Sequence, residues 1–279
     1  MADLWMRFPG GLCKALTLSY DDGVEQDVRL LDIMQKHGLK GTFNLNSGQF
    51  APEGTVYPSG RIHRRMTRKT LVELLKDSGQ EVAIHAFYHG DLPALPPAHA
   101  TWQIVRDKEE LENTFGCIIR GMAYPYGTFS PAFTQTLRDC GVAYARTVQS
   151  THRFDIPNDW LMLPATCHHN DPELMNLARK FAEDKPYRPQ MFYLWGHSYE
   201  FEANDNWQVI EAFASFIGGR ADIWYATNIQ IRDYVEAWRG MHISADGRRL
   251  FNPSAMPLWV EINGKTYQIG SGKELFIAE

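Results

Sequence analysis

The sequence predicts an α/β fold: a (β/α) barrel of seven or eight parallel strands with a C-terminal β-hairpin appendage. Three observations predict it. Apolar runs of strand length alternate with helix-period stretches many times along the 279 residues, the signature of a mainly parallel sheet. Polar residues recur where the predicted strands end, and in parallel barrels chemistry sits at the C-terminal strand ends. Near residue 240 the alternation stops, and "LWVEINGKTYQIG" instead places Asn263-Gly264 between two alternating runs, a strong hairpin signal. An open doubly wound sheet is the second choice. No GxGxxG or GxxxxGK[ST] follows the first strand, so its nucleotide-binding form loses weight.

The elements follow in order. "CKALTLSY" (13–20) reads as a strand. In "EQDVRLLDIMQKHG", Val28, Leu31 and Ile33/Met34 fall at helical spacing, and Gly38 suits a C-terminal stop. "GTFNLN" (41–46) is the next strand. Thr67 can cap the helix "TRKTLVELLKDSG". "QEVAIHA" is a strand, followed by a Pro-rich loop and the charged helix "WQIVRDKEELENTFG". "CIIRGMAY" is a strand closed by Pro125, and Pro131 opens "PAFTQTLRDCG". "VAYARTV" is a strand, with "WLMLPATCHH" as a doubtful further one. Next come the helix "DPELMNLARKFAED", the strand "QMFYLWGHSY", the helix "WQVIEAFASFIGG", the strand "DIWYAT" and the helix "IQIRDYVEAW". Residues 1–240 are therefore expected to form the barrel, and 241–279 a small β appendage packed on it.

Composition narrows the function. Apolar residues make up 44% of the chain, enough for a sizeable core. A net charge of −5 offers no basic excess for a phosphate backbone, which excludes nucleic acid as a partner. "MADLWMRFPGG" has no basic segment leading an apolar one, and no apolar run reaches membrane-spanning length. The four cysteines share no CxxC spacing and read as buried free thiols in a reducing compartment. A cytoplasmic protein is expected, with no membrane partner.

The strand ends carry the chemistry. Asp21 and Asp22 end the first strand, Asn46 the second, and His85 the third, with His89 four residues on. Tyr124 to Gly127 end the fourth, Arg146 the fifth, His168 and His169 the doubtful sixth, and His197 the next. Taken alone, adjacent acids before Gly23 are usually a solvated turn, and an i, i+4 histidine pair is usually accidental. Together they share one barrel face. One carboxylate and two imidazoles make a three-ligand set that leaves a position open on a zinc-like ion. Gly23 lets the chain turn sharply, so one aspartate could bind metal while the other reaches water. A base beside that water and a separate histidine for the leaving group make an amide hydrolase layout.

At these residues the sequence resembles the polysaccharide deacetylase family (NodB-type homology domain). The carrying segments are Ser19-Tyr20-Asp21-Asp22-Gly23, His85-Ala86-Phe87-Tyr88-His89, Pro125-Tyr126-Gly127 after Met122-Ala123-Tyr124, and Leu194-Trp195-Gly196-His197. Their order and approximate spacing agree with the family from residue 15 to about 235. The resemblance implies a distorted (β/α) barrel and metal-dependent removal of acetyl groups from sugars. It implies Asp22, His85 and His89 as metal ligands and Asp21 as general base. It also implies His197 as general acid and the Tyr126 backbone N–H as an oxyanion donor. The expected cofactor is a divalent transition metal, zinc first, although a His₂Asp set also suits cobalt, nickel or iron.

The chain departs from the pattern in three places. Ala86 stands where the family has Ser or Thr, so the metal loop must be held otherwise. Ala123 stands where the family often has the arginine that orients the base; Arg146 is the first substitute and Arg120 the second. The Asp-x-x-Asp-Trp motif is matched only loosely by Asp155 through Trp160. Tyr126, Trp160 and Arg146 are expected on the substrate side, with Trp160 either stacking on sugar or serving as a core tryptophan. His168, His169 and Glu200 have no assigned role.

The expected activity is hydrolysis of N-acetyl groups of amino sugars or oligosaccharides. The alternative is hydrolysis of small non-peptide amides or ureides on the same fold, some relatives of which work without metal. A carbohydrate-binding protein without catalysis is a third reading, against which Asp21, Asp22 and His197 stand intact. The hairpin near 258–277 could pair with a second subunit, giving a homo-oligomer.

Overall fold

The structure is a computed structural model and describes residues 4–277. Strand β2 (Lys14–Asp21) is its axis, with all eight residues buried. Around it, in chain order, come α1 (Asp27–Lys36), β3 (Gly41–Leu45), α2 (Arg68–Leu75), β4 (Glu81–Ile84), α3 (Pro97–Phe115), β5 (Gly121–Ala123), α4 (Pro131–Asp139) and β6 (Tyr144–Ser150), numbering from β1 (Leu4–Arg7). Strands β7 (Leu163–Ala165) and β8 (Cys167–His168) precede α5 (Leu174–Glu183), β9 (Gln190–Gly196), α6 (Tyr199–Ala203), α7 (Gln208–Ile217), β10 (Ile223–Tyr225) and α8 (Asn228–Arg239). The parallel strands run in the order β7-β6-β5-β4-β3-β2-β9-β8, a nearly closed barrel. Strand β10 pairs with Lys14–Leu16, the stretch of β2 that β3 leaves free, because β3 begins pairing only at Leu18.

The segment read as one doubtful strand resolves differently. Leu163–Ala165 pairs with β6, whereas Cys167–His168 pairs with β9 on the opposite edge. Thr166 lies between them and ties both sides. Its N–H donates to Tyr193 O (2.9 Å), and its carbonyl accepts from His152 N–H (2.9 Å). The barrel thus closes through a single residue, a geometry no periodicity reveals.

Side-chain alternation sets what faces inward. From β2, Leu16, Leu18 and Tyr20 pack under the helices together with Phe43, Leu45, Phe192 and Leu194. Thr17, Ser19 and Asp21 therefore point into the barrel, beside Asn44 and Arg146. The interior is polar and paired: Asn44 donates to Ser19 Oγ (2.8 Å), Thr17 Oγ1 to Asn228 Oδ1 (2.8 Å), and Asn228 to the Tyr193 hydroxyl (2.7 Å). Glu81, half-buried, accepts from Thr42 (2.8 Å), Tyr144 (2.7 Å) and the Ile229 N–H (2.9 Å).

After α8 the chain forms β11 (His242–Ile243), β12 (Arg249–Phe251), β13 (Leu258–Ile262), β14 (Lys265–Ile269) and β15 (Glu274–Phe276). Asn263 (φ 49°) and Gly264 (φ 77°) turn the β13–β14 hairpin, both in the left-handed region such a tight turn uses. β13 also pairs antiparallel with β1, a strand the sequence reading did not anticipate. The four cysteines are free, but only Cys167 is buried; Cys117 is exposed and the others are half-buried, which corrects the expectation of four buried thiols. Among the described residues no helix is long and apolar enough to cross a membrane.

Candidate active site

The strand ends converge at the mouth of the barrel. Asp21, the last residue of β2, is buried, and its Oδ1 accepts from Asn44 Nδ2 (2.8 Å). Its Oδ2 takes a short ion pair from Arg146 on β6. The same oxygen lies 3.7 Å from His85 Nε2 and 3.7 Å from His197 Nε2. Arg120, the other candidate for orienting the base, pairs instead with Asp233 on α8 (2.8 Å). Burial raises the Asp21 carboxyl, but Arg146, His85 and His197 together hold it below its ordinary value.

Asp22 follows with φ 87°, a left-handed conformation that a non-glycine residue seldom adopts. Ala86 (φ 61°), His89 (φ 54°) and Tyr126 (φ 58°) share it, so among the described residues four of the eight non-glycine residues with positive φ lie at this mouth. Such strain persists only where surrounding contacts over-determine the backbone. Asn46 supplies those contacts for the His85–His89 loop. Its amide donates to the carbonyls of His85 and of Ala86 (2.7 Å). Asp107 of α3 completes the clamp by accepting from the backbone N–H of His85 (3.1 Å) and of Ser47 (2.8 Å). Asn46 and Asp107 thus do the holding that a Ser or Thr at position 86 does elsewhere in the resemblance.

Asp22, His85 and His89 present donor atoms that all lie within 4.8 Å of one another. The His85 ring faces Ala123 O with Nδ1 (2.8 Å). Nδ1 is therefore the protonated nitrogen, and Nε2 keeps its lone pair for the cluster. Burial and the neighbouring His85 lower the His89 imidazole to about 4, so it too is neutral and ligand-ready near pH 7. This donor set fits a transition-metal ion. Two residues that sequence reading passed over hold Asp22: Arg65 on Oδ1 (2.9 Å) and His63 on Oδ2 (3.1 Å). Against burial, these contacts keep the Asp22 carboxyl far below the usual range.

A second group, His168, His169 and Glu200, is equally compact, yet reads differently. The Asn170 N–H donates to His168 Nδ1 (3.2 Å), which leaves the proton on Nε2, 3.3 Å from Glu200 Oε2. His168 is thus a donor to Glu200 rather than a lone-pair ligand. His169 Nε2 lies 3.0 Å from the same oxygen, and Asn170 Nδ2 donates to it (3.0 Å). The other Glu200 oxygen contacts His197 Nδ1 at 2.9 Å. Glu200 therefore fixes the His197 ring with Nε2 toward Asp21. Burial lowers the His197 imidazolium, but Glu200 and Asp21 outweigh it and raise its pKa. The i, i+3 spacing of His197 and Glu200, one helical turn, was the available signal.

Trp160 is not brought to this mouth. Its ring is buried and its Nε1–H donates to Glu236 on α8 (2.9 Å). Asp155, the start of the loose motif, pairs with Arg153 at the surface (2.6 Å). Of the expected substrate-side residues, Arg146 lies against Asp21 and Tyr126 against His89, with ring centroids 4.6 Å apart.

Fold and site define a class: a parallel α/β barrel whose C-terminal mouth joins a carboxylate–imidazole donor set to a separate carboxylate and imidazole. The comparisons refine this. Residues 10–145 match the polysaccharide deacetylase family. A chitin deacetylase from Pestalotiopsis sp is 27% identical over 125 residues, 44% of this chain and 38% of that protein. The match thus spans well under half the length of that curated relative. A protein from Mycobacterium smegmatis described as a polysaccharide deacetylase superposes over 86% of this chain and 96% of its own, with TM-score 0.58 at 15% identity. A family 4 carbohydrate esterase from Streptomyces lividans, in complex with acetate, does so over 76% and 92%, with TM-score 0.50 at 18% identity. These two likenesses speak for the fold. Over residues 10–145 the chain is thus similar to the polysaccharide deacetylase family.

Proposed function

We propose that this protein is a metal-dependent deacetylase that hydrolyses N-acetyl groups of amino sugars or oligosaccharides. One observation carries the reading. A single buried oxygen, Asp21 Oδ2, stands 3.7 Å from an imidazole of the metal-type cluster and 3.7 Å from the Glu200-held imidazole His197. Their environments push the two groups apart, Asp21 toward its ionised form and His197 toward its protonated form, which supports the roles of base and acid.

Asp22, His85 and His89 would hold the ion; when bound, a divalent transition metal supplies Lewis acidity to the acyl carbonyl. Asp21 accepts the proton of the attacking water, with its carboxylate aimed by Asn44 and Arg146. The Tyr126 backbone N–H serves the developing oxyanion. His197 Nε2 delivers a proton to the leaving amine, and Glu200 stabilises the ring while it is charged.

The test is metal content of the purified protein together with acetate release from a chitooligosaccharide before and after chelation. One tightly bound transition metal and chelator-sensitive release, lost in Asp21→Asn with metal retained, is the expected result. Metal without acetate release would move the substrate to small amides. No metal, even after reconstitution, would remove the Asp22–His85–His89 assignment.

A further inference from the structure

The ladder that carries the proposed acid stops just short of it. On the β2 side β9 pairs as far as Gly196, and on the β8 side only to Trp195, so His197 stands beyond both ladders. Glu200 holds its ring. Its backbone needs a separate hold, and a buried carboxylate that the chemistry above does not use stands in the right place.

Asp27 opens α1 and is only 1% exposed, and Ser198, next to His197, is fully buried. The Ser198 hydroxyl donates to Asp27 Oδ1 (2.6 Å), and the Val24 N–H donates to Asp27 Oδ2 (3.1 Å). One carboxylate therefore joins the neighbour of His197 to the chain just past Asp21 and Asp22. An acid in the first turn of a helix is favoured by the helix dipole even when exposed. Capping α1 therefore does not require Asp27 to be buried with one oxygen on a segment 171 residues away. A hydroxyl bonded to a carboxylate at this distance is of the short, strong kind.

The surrounding contacts meet at the same turn. Gln26 Nε2 donates to Glu202 Oε2 on α6 (2.6 Å) and to Ile62 O (2.7 Å), and Arg64 pairs with Glu202 (2.8 Å). The Met66 N–H donates to Gly23 O (2.9 Å), and the Glu25 N–H to Arg64 O (2.8 Å). On one side of residues 23–27 lies the loop bearing His63 and Arg65, which hold Asp22. On the other lies the start of α6, which His197 precedes.

We propose that Asp27 is a positioning residue: by holding Ser198 it fixes the backbone of His197, and with it the place of the His197 ring relative to Asp21. A misplacement of about 1 Å at a reacting group can cost about a hundredfold in rate, so a hold on that backbone acts on turnover rather than on binding. The inference rests on the deacetylase reading for the role of His197.

The experiment compares wild type, Ser198→Ala, Asp27→Asn and the double variant. Ser198→Ala removes the hydroxyl and keeps the carboxylate on α1, whereas Asp27→Asn keeps an oxygen for Ser198. Three quantities are read: acetate release from a chitooligosaccharide, metal content, and the His197 ring signals by NMR of protein carrying isotope-labelled histidine, assigned by their loss in His197→Gln. Ser198→Ala is expected to lower kcat about tenfold, with KM and metal content unchanged, and to shift the His197 signals. Asp27→Asn should lose less, and the double variant no more than Ser198→Ala. A lower melting temperature with kcat and the His197 signals at wild-type values makes Asp27 a helix cap alone and overturns the proposal. So does a loss of metal or a rise in KM that accounts for the lost activity. If wild type releases no acetate, the deacetylase reading falls; shifted His197 signals in Ser198→Ala then still uphold the positioning, and unshifted ones overturn it.

Discussion

Replacing Arg146 by Met tests whether the buried ion pair positions Asp21, the proposed base. Arg146 is fully buried, its guanidinium pairs with Asp21, and it lies 4.3 Å from the centroid of the Trp195 ring. Met preserves most of the volume and the contact with Trp195 but removes the charge. Asp21, only 2% exposed, is then left with Asn44 and two imidazoles 3.7 Å away. Breaking a buried pair by removing one partner costs about 3–5 kcal/mol, because the remaining charge stays desolvated. In a domain of this size each kcal/mol shifts Tm by about 2–4 °C, so Tm should fall by roughly 6–20 °C. The Asp21 carboxyl should also rise, moving the acid limb of the pH–rate profile to higher pH. Thermal and urea unfolding of wild type, Arg146→Met, Asp21→Asn and the double variant form a cycle. The double variant should recover most of the loss, since no lone charge remains. A single variant costing under about 1 kcal/mol, as an exposed pair would, or a double variant as costly as the sum of the singles, would refute the argument.

Three further outcomes are expected. Glu200→Gln removes the contact that raises His197, so the alkaline limb of the pH–rate profile should move to lower pH and kcat should fall, with metal content unchanged on elemental analysis. Burial pushes the Glu81 carboxyl up to about 7, against an ordinary value of about 4.3. The folded state therefore keeps a proton that the unfolded state has lost; the stability Glu81 contributes should be full below about pH 4 and be lost as pH rises through 7. In Glu81→Gln the slope of unfolding free energy across that window should be shallower by about 1.4 kcal/mol per pH unit, read from urea unfolding. Gly196→Ala would place a methyl 2.0 Å from His169 Nδ1, a ring already confined between Tyr20 and Phe201. Overpacking of this kind costs about 1–3 kcal/mol, and an unchanged melting temperature would show that the ring has room to move.

The sequence made the barrel and the candidate site residues legible, for a physical reason. The helix-facing side of each parallel strand is apolar, so strand-length runs stand out, and the polar groups at their ends fall at fixed places, as Asp21, His85 and His197 do. What stayed hidden depends on distant parts of the chain. Arg65 and His63 reach Asp22 from a long loop, 43 and 41 residues away. Asp107 looked like one more charge on a charged helix, yet it is buried and holds the His85 backbone. Trp160 carried a motif-like context but found its partner in Glu236, 76 residues later. Such pairings are set by tertiary packing, which local spacing does not encode.

The closure at Thr166 has a mechanical consequence. Arg146, paired with Asp21, stands on β6, one side of the seam. His168 and His169, which contact His197 through Glu200, begin on the other side. The short span from Ala165 to Cys167 carries the chain from one edge to the other, and a trans peptide chain lengthens by no more than about 3.6 Å per residue. The seam therefore acts as an inextensible strap that limits the spacing between the two halves of the candidate site. An inserted residue at this point would slacken the strap, so length at the seam should tolerate change far less than sequence does.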